Sequence, residues 1–113
     1  MARYGSIVES IQVENGDIVP AASISITTTP ATSALPQVDG DGVAIAPGAD
    51  WAFQADQDFY IRLVDASATV LSGAKAVLVP ARQLYTATAK LSRTAVSLAA
   101  VTTSGTVQVF AVR

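Results

Sequence analysis

The stretch SGTVQVFAVR, residues 104–113, opens on a Ser-Gly turn signal and then alternates strictly. Val107, Val109 and Ala111 fall on one face, and Gln108, Phe110 and Val112 on the other. Period-2 alternation of this kind describes a half-buried β-strand, because successive side chains in a strand point to opposite faces. A strand so rich in valine would invite aggregation as an open edge. It is therefore expected either inside a sheet, paired on both sides, or at an interface between subunits.

The same period recurs upstream. Ile24, Ile26 and Thr28 share a face of SISITTT, Trp51, Phe53 and Ala55 a face of DWAFQA, and Phe59, Ile61 and Leu63 a face of DFYIRLV. Further strands are expected over Ile7 to Val13, Ala76 to Val79, Leu84 to Lys90, Ala95 to Val101 and Thr106 to Val112. The Ala-rich residues 87–100 are the best candidate for a helix, yet their Thr, Ser and Val content and the Val96/Leu98 alternation favour strand. The punctuation agrees. Glu14-Asn15-Gly16-Asp17 is an Asn-Gly hairpin signal, since both central residues of a type I′ turn need positive φ. Asp39-Gly40-Asp41-Gly42, Pro47-Gly48, Ser72-Gly73 and Ser104-Gly105 mark further turns. About eight short, mainly antiparallel strands predict an all-β domain, a β-sandwich or jelly-roll-like barrel.

One stretch breaks the rhythm. TTTPATSALPQVDGDGVAIAP, residues 27–47, has three prolines and few large apolar side chains, and is expected to form a long loop or arm.

The chain of 113 residues is long enough for one core, so residues 1–113 are expected to form a single domain. Half of the residues are apolar and 14% charged, against about 25% charged in an average soluble domain. Such a surface has area to offer for contact. Residues 1–61 carry one basic and eight acidic side chains, residues 62–113 six basic and one acidic. Either the halves interleave and the charges mix, or an acidic face meets a neighbour's basic face. The basic residues form no run and no aromatic interleaving, so nucleic acid is not an expected partner. The N-terminal residues show no signal-peptide pattern, and no apolar run is long enough to span a membrane as a helix.

Absent residue types restrict the chemistry. Without histidine the chain lacks the commonest general base and metal ligand, and without cysteine it lacks thiolate chemistry. Asp39, Asp41 and Asp50 suggest a calcium loop, but the remaining EF-hand positions are missing and a Gly-Asp turn explains them better. Asp56 and Asp58 stand two apart, as a catalytic carboxylate pair can, yet a turn before a strand is the commoner use. No catalytic, cofactor-binding or metal-binding residue is assigned, and no enzyme is expected. Trp51, Tyr60 and Tyr85 would suit a sugar-stacking platform, although the core has first claim on seven aromatics. Arg62, Phe110 and Arg113 join these three as candidate interaction residues.

A short Ala/Val/Thr-rich all-β chain without Cys or His, with ADQDFYIRLVDAS (55–67) and the terminal SGTVQVFAV (104–112), resembles the small virion proteins of tailed bacteriophages. It is most similar to capsid decoration (cement) proteins, and next to neck or tail-tube components. The resemblance implies a non-enzymatic homo-oligomer, a trimer, that binds the major capsid protein or neighbouring virion proteins. It also implies a place in the virion after synthesis in the host cytoplasm, with no nucleic acid or membrane bound. Residues 1–13 or 27–47 are the segments that would reach a neighbour. The alternative is a carbohydrate-binding or adhesin module.

Overall fold

The computed structural model describes residues 18–65 and 76–112. Eight strands follow one another: β1 (Ile18–Ile26), β2 (Ala31–Ala34), β3 (Asp50–Ala55), β4 (Phe59–Val64), β5 (Val77–Val79), β6 (Tyr85–Thr88), β7 (Ala95–Ala100) and β8 (Gly105–Val112). They form two four-stranded sheets, ordered β1-β8-β3-β6 and β2-β7-β4-β5, with every neighbouring pair antiparallel. No helix occurs among the described residues, and so none is long and apolar enough to cross a membrane. The expected strand over residues 7–13, the hairpin at 14–17, the Ser72-Gly73 turn and Arg113 lie outside the described residues.

The pairing is nested. β4 pairs with β5, β3 with β6, β2 with β7 and β1 with β8, so the chain behaves as one long hairpin rolled into two layers. That order is the eight-stranded jelly roll. β8, whose alternation predicted a strand in need of partners, lies inside its sheet between β1 and β3.

The alternating positions meet in the middle. Trp51, Phe53 and Ala55 of β3 and Val107, Val109 and Ala111 of β8 face Phe59 and Ile61 of β4 and Val96, Leu98 and Ala100 of β7 in one buried cluster. Two sheets facing one another account for the period of 2, because each strand gives one face to this layer. Phe53, Phe59 and Ile61 have no exposed surface. Burying a side chain of that size contributes about 1.5–3 kcal/mol.

The charge halves interleave. Each sheet draws strands from both the acidic and the basic part of the chain.

Two elements depart from expectation. Residues 27–47 are not a continuous loop, for Ala31–Ala34 form β2, an edge strand paired with β7. Its small side chains Ala, Thr, Ser and Ala carry no alternation of large apolar residues, and backbone pairing to a buried neighbour holds it instead. β1 begins at Ile18, six residues before the expected alternation, and runs through Pro20. β1 is an edge strand, where a missing N–H is tolerated, and its register shifts between Pro20 and Ala22.

Candidate functional site

Two of the loops gather at one end of the sandwich with the start of β1 and the end of β8, as the partners Ile18–Val112, Asp50–Val112 and Asp50–Thr88 require. Both, residues 35–49 between β2 and β3 and residues 89–94 between β6 and β7, are described throughout.

The β2–β3 connection is a built structure. Ile45 N–H donates to Gln37 C=O at 2.9 Å, Val38 bridges Ala44, and Asp39 N–H donates to Val43 C=O at 2.9 Å, which makes a small hairpin. Asp39 is buried, and its Oδ1 accepts the N–H groups of Asp41 at 2.8 Å and Val43 at 3.1 Å. This is a side chain closing its own turn, the role that the Asp-Gly repeat predicted. Gly42 takes φ +81° at the tip. Gly40 N–H donates to Pro20 C=O at 2.7 Å, tying the hairpin to β1. A Cβ on Gly40 would stand 2.7 Å from that same oxygen, so only glycine permits the approach.

The β6–β7 connection packs beside it. Ala89 N–H donates to Ala49 C=O at 3.1 Å and Leu35 N–H to Thr94 C=O at 2.9 Å, which join the two loops. Gly48, at φ +80°, lies so close to Leu91 that an added Cβ would be 3.3 Å from its Cδ2. Between the loops lies an open groove of about 550 Å³. Leu35, Ile45, Trp51 and Ala89 supply its apolar surface, and Lys90, Leu91 and Arg93 line its β6–β7 side. Leu91 is 73% exposed, an unusual position for a leucine. No acidic side chain lines the groove among the described residues. Neither Lys90 nor Arg93 has an ion-pair partner there. A pocket of this size, mostly apolar with a few charged groups, is the usual form of a binding site.

The opposite end carries the carboxylate pair. Asp56 Oδ1 accepts Thr106 N–H at 2.8 Å, and Asp58 Oδ1 accepts Ala81 N–H at 2.8 Å. Each carboxylate thus secures a different loop, and the two do not share a site. A shallower hollow of about 380 Å³ there is lined by Gln54, Asp56, Arg82, Thr106 and Gln108. Arg82 holds a left-handed φ of 65°, fixed by its N–H to Ala55 C=O at 2.7 Å and by Gln54 Nε2 donating to its own carbonyl at 2.7 Å.

The candidate interaction residues are scattered over the sandwich. Trp51 is 3% exposed and belongs to the core cluster, and Tyr85 packs against that cluster with its ring 6.5 Å from that of Phe53. These two do not form an exposed sugar platform. Tyr60 and Arg62 are half-buried on the outer face of β4, and Phe110 is half-buried on the outer face of β8, on the other side of the molecule. Of the five that are described, only Trp51 touches the groove. Leu91, Lys90 and Arg93 carry no motif in the sequence, where Lys90 ends the strand expected over Leu84 to Lys90 and all three fall in the Ala-rich stretch 87–100.

The outer face of the second sheet has its own peculiarity. All six residues of β7 are buried, including Ala95, Ser97 and Ala99, which point away from the core cluster. Ser97 stands opposite Arg62 and Thr32, and its hydroxyl has no hydrogen-bond partner among the described residues. A comparison of this chain with protein-family models, with curated proteins and with solved structures finds no match.

Proposed function

We propose that the protein is a non-enzymatic structural component of a tailed-phage virion, a decoration protein that binds the assembled capsid and stabilises it as a homotrimer. The observation that carries the reading is the nested strand order β1-β8-β3-β6 and β2-β7-β4-β5, an architecture used by viral capsid proteins as well as by lectins and cupins. The other two uses fit the described residues less well. A cupin-type metal centre is commonly built on histidine, which the chain lacks, and Phe53, Phe59 and Ile61 fill the space between the sheets. A lectin-type platform needs exposed aromatics, whereas Trp51 lies in the core.

The low content of charge suits the same role. Val38, Val43, Val77, Leu78 and Leu91 are exposed, as interface residues are in a protomer viewed alone. A protein that binds an assembled lattice and not its separate subunits stabilises the lattice by mass action. Several weak contacts suffice when one trimer spans several capsomers, because the second and third bind at high effective concentration.

Sedimentation velocity and native mass spectrometry of the purified protein, with co-sedimentation on capsids of the phage that encodes it, test the reading. The expected result is a stable trimer that pellets with expanded capsids. A monomer at all concentrations that stays in the supernatant would refute it.

A further inference from the structure

We infer that the groove between the β2–β3 and β6–β7 loops is the docking site for an extended acidic segment of a partner polypeptide. An apolar side chain of that segment would sit over Trp51 and its carboxylates would meet Lys90 and Arg93.

Three observations select this occupant. The first is charge: the groove's charged lining consists of Lys90 and Arg93, both without an ion-pair partner and with no carboxylate beside them among the described residues. Complementary charge steers an anionic partner and fixes its register. The second is the apolar surface. Leu35, Ile45 and Trp51 line the groove together with an exposed Leu91, which an inserted side chain would cover. The third is length. The groove's Gln37–Ile45 pair continues into the Val38–Ala44 bridge, where Val38 and Val43 are 49% and 43% exposed. Val43, two residues from Ile45 and so on the same face of the hairpin, carries apolar surface past the cavity, farther than a compact small molecule needs. Exposed Asp41, at the hairpin's far tip, opposes a carboxylate there and favours one direction of the segment.

The groove is also held in shape before anything binds. The Gly40–Pro20, Ala89–Ala49 and Leu35–Thr94 hydrogen bonds fix both walls, and the approach of Gly48 to Leu91 leaves little room for collapse. A preformed groove spends less of its binding energy on ordering.

This inference takes from the assembly reading only that the partner is a polypeptide, and the two can fail separately. The probe is a fluorescein-labelled heptapeptide of alternating glutamate and leucine, titrated by fluorescence anisotropy against the full chain. The controls are the same peptide with glutamine for glutamate and with lysine for glutamate. Saturable binding is expected for the acidic peptide, about tenfold weaker for the glutamine peptide and absent for the lysine peptide, with affinity falling as salt rises. The double variant K90E/R93E is expected to bind the acidic peptide about tenfold more weakly. Leu91→Asp, at a position so exposed that folding is unaffected, is expected to do the same. Circular dichroism and thermal unfolding verify that each variant is folded.

Equal binding of the three peptides, unchanged affinity in both variants, or no saturable binding by the wild type would each overturn the inference. A monomeric wild type that binds the peptide through Lys90 and Arg93 sinks the assembly reading and leaves the groove. A trimer whose peptide binding ignores K90E/R93E does the reverse.

Discussion

Replacing Gly40 by alanine tests whether the groove's hairpin is pinned to β1 as described. The new Cβ would lie 2.7 Å from the Pro20 carbonyl oxygen, whereas ordinary contact begins near 3.4 Å. The obstacle is backbone of a paired strand, so the hairpin must withdraw by about 0.7 Å. Withdrawal stretches the 2.7 Å hydrogen bond from Gly40 N–H to that oxygen, at a cost of about 1 kcal/mol, and residual strain adds about 1 kcal/mol more. The expected loss is about 2 kcal/mol, equivalent to roughly 8 °C in Tm for a domain of this size.

Gly42 serves as the internal control. It lies on the same hairpin with φ +81° and nothing within 4 Å of an added Cβ. Gly42→Ala is expected to lose only the left-handed penalty of about 1 kcal/mol, and Gly42→Asn to recover most of it. The single tryptophan, Trp51, is buried and reports unfolding through its emission in urea titrations. Gly40→Ala within about 0.3 kcal/mol of wild type, or no worse than Gly42→Ala, would refute the close approach and the rigidity argued from it.

Two further outcomes follow from the sheets. Ser97→Ala removes a buried hydroxyl that has no partner among the described residues, and is expected to leave stability unchanged or raise it by up to about 1 kcal/mol in the same titration. A loss of more than about 1 kcal/mol would show that the hydroxyl is bonded after all. Deleting residues 106–113 removes the strand that joins β1 to β3 and the core side chains Val107, Val109 and Ala111. The expected product shows no cooperative thermal transition, and a soluble truncation that unfolds cooperatively would contradict an internal β8.

How much of this was legible in the sequence depended on side-chain size. β3, β4, β7 and β8 place apolar residues at every second position, and each was found within a residue of its bounds because those positions are the ones that face the core cluster. β2 was missed for the converse reason. Ala31, Thr32, Ser33 and Ala34 read as loop between Pro30 and Pro36, and only the hydrogen-bonding edge of β7 makes them a strand. The start of β1 was hidden by Pro20, a residue that argues against a central strand and is harmless at an edge.

The groove was invisible for a different reason. It is assembled from residues 34–51 and 89–94, which come together through backbone bonds between loops, and no local spacing encodes such an encounter. Trp51 lay on the right face for the core, and that face outweighed any use as an exposed anchor. Asp56 and Asp58 looked like a pair in one dimension, yet their hydrogen bonds run apart, to Thr106 at the start of β8 and to Ala81 between β5 and β6.

The nested pairing also sets an order of events as the chain is made. β4 and β5 are close in sequence and can meet early, whereas β8, the neighbour of β1 among the described strands, is the last of the eight to leave the ribosome. At about 5–20 residues per second, the roughly 80 residues between them keep β1 waiting for some 4–16 seconds. Contacts of such long sequence separation also close slowly. Throughout that interval Ile24 and Ile26 have no lasting cover, and the bend at Pro20 and the polar Ser23 and Ser25 lessen the risk that two nascent chains pair through this strand.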